Sequence, residues 1–159
     1  MSEFAVLFDN SVLFWSLISC LLAQFFKIIF NFFSTGKIRF GIIFETGGMP
    51  SSHSALITGV TSGIGFELGF DSPIFALAIA VSLIVMYDAS GVRRSAGIQA
   101  REINKLSKKL DSKYDLDLKE TLGHSKLEVI VGSLLGPLIT LPGMVFIGSP
   151  LKILDLIIN

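Results

Sequence analysis

The strongest constraint on this chain is an apolar run from Ser11 to Phe33 in which Lys27 is the only charge. A helix crosses a bilayer with about 20 mostly apolar residues at about 1.5 Å each, so the run is long enough to span. Glu3 and Asp9 precede it. A cleavable signal peptide starts basic and has a shorter apolar core. Three more candidate spans follow, at about 53–70, 73–90 and 127–147. The second is short and rich in Gly, Ser and Thr, with Gly59 and Gly63 four apart and Gly65 and Gly69 likewise. Such small-residue rows let helix backbones approach closely in lipid and suit a segment wrapped by other helices. Pro73 suits the first turn of the third span, and Pro137 and Pro142 interrupt the fourth. The expected fold is all-α: an integral membrane helical bundle of about four transmembrane helices forming a single domain over 1–159.

Composition agrees. Half of the 159 residues (51%) are hydrophobic, 16% are charged, and the mean hydropathy is +0.69. A soluble domain carries nearer a quarter charged residues, and apolar content this high excludes disorder. Thirteen Lys and Arg balance thirteen Asp and Glu, which removes the electrostatic case for nucleic acid. The single cysteine, Cys20, excludes an intrachain disulfide framework and a cysteine-rich zinc site.

Charge distribution sets the expected orientation. Apart from Lys27 and Lys152, every Lys and Arg lies in the segments joining span one to two and span three to four. By the positive-inside rule these segments are cytoplasmic and both termini lie outside. The cytoplasmic segment, about 91–126, is the only strongly polar stretch. In it Ile103, Leu106 and Leu110 form a narrow apolar stripe on a basic helix. That pattern reads as an amphipathic helix on the membrane surface or capping the bundle, in preference to a partner-binding helix. Residues 111–115 read as a solvated turn.

Costly polar residues gather at the same side: Lys27 near the end of span one, Ser51, Ser52 and His53 at the start of span two, Asp88, Arg93 and Arg94 at the end of span three, and His124 and Glu128 at the start of span four. Ionisable groups at membrane depth are functional candidates. Three cations and a Gly-rich turn into a helix amino terminus make a phosphate cradle. On a helix Glu128 would lie one turn from His124 on the same face, holding one imidazole nitrogen protonated and leaving the other as nucleophile or base. His53 could protonate a leaving oxygen. The set suggests metal-free phosphoryl transfer through a phosphohistidine. Each element has a plainer reading: Ser51-Ser52 as a helix cap, Lys27 snorkelling to headgroups, Arg93 and Arg94 as a lipid-binding flank, Asp88 pairing with one of them, His124 with Glu128 as a helix contact. The Phe-rich patch around Phe25 to Phe33 reads as lipid-facing or packing surface.

Gly47-Gly48-Met49-Pro50-Ser51-Ser52-His53-Ser54-Ala55, then Asp88-Ala89-Ser90-Gly91-Val92-Arg93-Arg94, then Leu122-Gly123-His124 with Glu128, resemble the divergent branch of the type 2 phosphatidic acid phosphatase superfamily, which also contains the vanadium-dependent haloperoxidases. The resemblance runs from Gln24 and Lys27 to the end of span four. It implies that Lys27 contacts phosphate, that Ser51 and the Ser52 amide hold phosphate oxygens, that His53 is the general acid, that Arg93 or Arg94 neutralises phosphate charge, and that His124 is the nucleophile with Glu128 standing where the family has Asp. No metal and no cofactor are implied. Ser52 replaces the family's Gly, no Arg-Pro closely follows Lys27 (Arg39-Phe40 lies twelve residues on), and some thirty residues separate Arg94 from His124. The expected activity is hydrolysis of a lipid-linked phosphomonoester or diphosphate, with a phospholipid or isoprenoid phosphate as substrate, membrane lipids as surroundings, and a homo-oligomer left open. The alternative is a non-catalytic membrane protein that binds phospholipid headgroups or acts as a scaffold; a small transporter ranks third.

Overall fold

The computed structural model describes residues 9–38, 41–42, 47–110 and 117–158. Arg39-Phe40 and the turn expected at 111–115 lie outside the described residues. Among the described residues the elements are all helical: α1 Ser11–Thr35, α2 Ser52–Leu68, α3 Pro73–Ser90, α4 Val92–Lys109, α5 Lys126–Pro142 continued by a π-helical turn Gly143–Ile147, and α6 Pro150–Ile158. The ends follow local chemistry. Asn10 caps α1, Ser72 caps α3 with Pro73 in its first turn, and Gly36 closes α1 at φ +67°, where glycine carries no steric penalty.

The bundle is built inside out relative to a soluble protein. On α1 the buried residues are Val12, Ser16, Ser19, Ala23 and Lys27, one face at helical spacing, while Leu13, Leu17, Leu21, Phe25 and Phe33 point outward. The interior is therefore small and polar and the exterior large and apolar, as lipid surroundings demand. Phe25, Phe30, Phe32 and Phe33 of the Phe-rich patch are exposed on the bundle. Ser and Thr hydroxyls donate to carbonyls of their own or a neighbouring helix: Ser19 Oγ to Ala55 O at 3.1 Å, and Thr61 Oγ1 shares a hydrogen bond with Ser82 Oγ at 2.6 Å.

α2 is the central helix, packed on α1, α3 and α5. A side chain at Gly59 would meet Thr140, Ser16 and Ser19, and one at Gly63 would meet Val12, so this glycine row makes the close approach its spacing predicts. Gly65 instead accommodates the Phe70 and Phe75 rings, and Gly69 ends α2 at φ +90°; the second row is a helix terminus, not a packing seam. Gly132 and Gly136 of α5 bring that helix against the Ser51 and Ala55 carbonyls of the α2 start.

Three segments are long and apolar enough to cross a membrane, Ser11–Thr35, Pro73–Lys109 and Lys126–Ile147. The 17-residue α2 falls short of that length: it spans about 25 Å and gains its shelter from the helices around it. α4 shows which way its apolar stripe faces. Its buried face is Gly97, Ala100, Asn104 and Ser107, while Ile103, Leu106 and Leu110 are exposed. Small residues face the protein because a polypeptide segment, 117–124, lies directly against them.

Candidate active site

The eight residues given phosphate-binding or catalytic roles by the resemblance lie at one end of the bundle, and the backbone shows how they are brought there. The amide of Ser51, ahead of α2, donates to the Glu128 carbonyl at 3.0 Å, tying the start of α2 to the first turn of α5. The amide of His124 donates to the Ala89 carbonyl at 2.9 Å, tying the same region to the last turn of α3. Lys27 of α1 lies behind the glycine turn, its Cδ against Gly48.

His124 is 3% exposed. Its Nδ1 lies 3.0 Å from Glu128 Oε2, and its Nε2 is buried with no hydrogen-bond partner among the described residues. A carboxylate accepts only, so Nδ1 carries a proton, and in the neutral form of the ring the lone pair is on Nε2. The pair does not meet across a helix face as its spacing suggests. His124 precedes the helix, Ser125 is the N-cap of α5, and Glu128 is its N3 residue in a reciprocal capping box. Ser125 Oγ accepts from Glu128 N at 3.3 Å, and Glu128 Oε2 accepts from Ser125 N at 3.2 Å as well as from His124. The capping box needs the longer carboxylate side chain at N3, which gives a local reason for Glu where the resemblance expects Asp.

His53, in the first turn of α2, is exposed. Together with Val85, Ala89, Arg93 and His124 it lines a small enclosed pit of about 20 Å³. Both imidazoles therefore face one cavity, and Arg93 and Lys27 also lie within electrostatic reach of His53. Arg93 Nε donates to Asp88 Oδ2 at 2.6 Å, the pairing the plainer reading anticipated, and this holds the guanidinium over the pit. Of the residues lining the pit, His53 and Arg93 are exposed, whereas His124 is buried.

Arg94 does not join Arg93. It lines a neighbouring cleft of about 410 Å³ that also reaches His124, with Gly47, Gly48, Arg101, Glu120 and Glu128 among its other walls. Successive helical residues point about 100° apart, so adjacent arginines at the start of α4 serve different cavities. Lys27 is 1% exposed and the largest fully buried side chain; it turns into the bundle instead of reaching the surface. Ser51 is the N-cap of α2: its Oγ accepts from Ser54 N at 3.3 Å and from Ser54 Oγ at 3.0 Å. The cap reading of Ser51 is thus observed. Ser52 is buried as the first residue of α2, where the amides of a helix lack intrahelical partners. Among the described residues no three His, Cys, Asp or Glu side chains are grouped to hold a metal ion.

Sequence reasoning passed over the residues that hold His124 in place. Asn104 of α4 is 4% exposed. Its Nδ2 donates to the Leu118 carbonyl and to Glu120 Oε1, both at 2.9 Å, and its Oδ1 accepts from Leu118 N at 3.1 Å. The Asn104 amide, assisted by Arg101 and opposed by burial, holds the Glu120 carboxyl below the usual carboxylate range. Gly97 lets the Glu120 and Leu122 carbonyls lie on the helix, and Gly123, at φ +79°, packs on the Arg93–Arg94 backbone, where any side chain would collide. A neutral, small row (Gly97, Ala100, Asn104, Ser107) inside an otherwise basic helix was the available signal.

Comparison with known proteins places this arrangement. A family model described as the divergent PAP2 family matches residues 8–139, which contain every site residue above. The chain is 40% identical over 149 residues to the uncharacterized membrane protein YuiD of Bacillus subtilis strain 168, a match covering 85% of this chain and 94% of that protein. No solved structure matches. With its apolar helices, its glycine-turn motif and its paired histidines, this multi-pass membrane protein belongs to the divergent PAP2 family.

Proposed function

We propose that this protein hydrolyses a lipid-linked phosphomonoester or diphosphate without a metal ion, through a phosphohistidine on His124. The observation that carries the reading is the buried His124, held at Nδ1 by Glu128 and unpartnered at Nε2, in the pit it shares with His53 and Arg93. A buried nitrogen without a partner costs about 1–3 kcal/mol, a cost that a bound reactant recovers. The Nε2 lone pair attacks phosphorus while the phosphorus–oxygen bond to the leaving group breaks and its electron pair departs with that oxygen. Protonated His53 supplies the proton. Water then attacks the phosphohistidine, His53 takes the water's proton, and inorganic phosphate leaves with His124 restored. Arg93, the buried Lys27 and the orphan amides at the start of α2 oppose the charge on the phosphoryl oxygens, which is the largest contribution to the barrier in such transfers. Arg94 and Ser51 are assigned supporting contacts with the phosphate group.

A pit of about 20 Å³ holds about one water. A phosphoryl group therefore enters by displacing the exposed His53 and Arg93 side chains, not the fixed His124. A polar end set on an apolar bundle supports lipid linkage, and the basic excess of the connecting segments supports a cytoplasmic orientation of that end. The test is phosphate release by the purified protein from phosphatidic acid, phosphatidylglycerol phosphate and polyprenyl diphosphates with chelator present. Release that persists in chelator is expected. No release from any of them, with one of these lipids bound unchanged, establishes the headgroup-binding alternative.

A further inference from the structure

α4 presents three distinct faces. The buried row carries the 117–124 segment. At about 100° per residue, Arg94, Arg101, Lys105 and Lys108 lie on one flank of that row, and Val92, Ile103, Leu106 and Leu110 on the other. The apolar flank is bare: Leu106 is 56% exposed and Leu110 75%. It also continues a surface already committed to lipid. α3 belongs to the apolar segment with only 11% of its most apolar window buried in the protein. One surface recess, lined by Leu83, Ile84, Tyr87, Asp88 and Val92, runs from α3 across the Gly91 joint onto the first residue of α4. Six cations and one acid, Glu102, lie along the helix, giving it the charge that anionic headgroups complement.

We infer that α4 is a bilayer-surface helix, its Val92–Ile103–Leu106–Leu110 flank seated in an anionic leaflet and its Arg101–Lys105–Lys108 flank turned to headgroups and water. The seat is independent of any catalytic role. Its structural consequence is that the helix strapping the His124 segment is itself supported by lipid along an adjacent flank.

Full-length protein carrying Cys20→Ser and one new cysteine, Leu106→Cys, Leu110→Cys or Lys108→Cys, is labelled with an environment-sensitive fluorophore in phosphatidylglycerol–phosphatidylcholine vesicles. The probes at 106 and 110 are expected to be quenched severalfold more by nitroxide-bearing lipid than the probe at 108, and the probe at 108 severalfold more by aqueous iodide. Vesicles of phosphatidylcholine alone are expected to lessen lipid quenching at 106 and 110. Iodide quenching at 106 and 110 equal to that at 108 overturns the inference. So does shielding of both from both quenchers, which marks a second protein copy on this face. The two apolar reporters give the same reading from separate substitutions, so loss of one variant to misfolding leaves the other.

Discussion

The two halves of the site are built in different ways. The α2 half, Ser51 to His53, is made by local rules: a serine caps a helix, the next amides are orphaned, and the histidine stands exposed one residue into the first turn. The His124 half is made by tertiary structure: a segment with no regular secondary structure is laced to α4 by Asn104 and to α3 by the Ala89 carbonyl, and ends on a capping box that also holds the imidazole. The first half leaves its histidine exposed; the second buries and orients its own. That difference suits the roles assigned to them, since a general acid must follow a departing oxygen while a nucleophile gains most from fixed geometry.

The sharpest way to break the comparison is to remove each histidine in turn. His124→Ala is expected to reduce phosphate release to background while the protein elutes normally in detergent. His53→Ala is expected to cost about 10²–10⁴-fold in kcat/KM, which reports the step up to leaving-group departure, on an alkyl phosphate, and far less in kcat/KM on a p-nitrophenyl ester, whose leaving group needs no proton. Equal losses on both substrates would show that His53 is not the acid. Next in size, Glu128→Gln keeps the capping box, because Gln also serves at N3, but loses the carboxylate that fixes the tautomer. A fall of about 10²-fold or more in kcat with unchanged thermal stability is expected, whereas unchanged kcat would reduce Glu128 to a helix cap. Asn104→Leu is expected to lower kcat by up to about 100-fold through misplacement of His124, with KM little changed; a rise in KM alone would contradict a positioning role. The smallest effect belongs to Arg94→Gln, which is expected to cost less than Arg93→Gln in a side-by-side assay because Arg94 lines the neighbouring cleft.

The sequence made the membrane class and the clustering of costly polar groups readable, because an ionisable residue in an apolar run has few physical excuses. Lys27, both histidines and Glu128 were found on that ground alone. Periodicity showed that α4 has an apolar stripe but not which way it faces; the packing segment, 117–124, takes the small neutral row and leaves the stripe outside. Arg93 and Arg94 looked equivalent as a pair, yet adjacent helical positions diverge, and only the fold shows that Asp88 retains one over the pit. Asn104 was hidden because its partners are backbone groups of a distant segment, which no spacing encodes.

The account stands on His124 Nε2 as the atom that accepts the phosphoryl group. Rapid alkaline quenching during turnover of a ³²P-labelled lipid phosphate, followed by peptide mapping, tests it directly. The prediction is an acid-labile, base-stable phosphoryl group on the peptide containing His124, absent from His124→Ala. Label on another residue, or phosphate release that continues in His124→Ala, would contradict it.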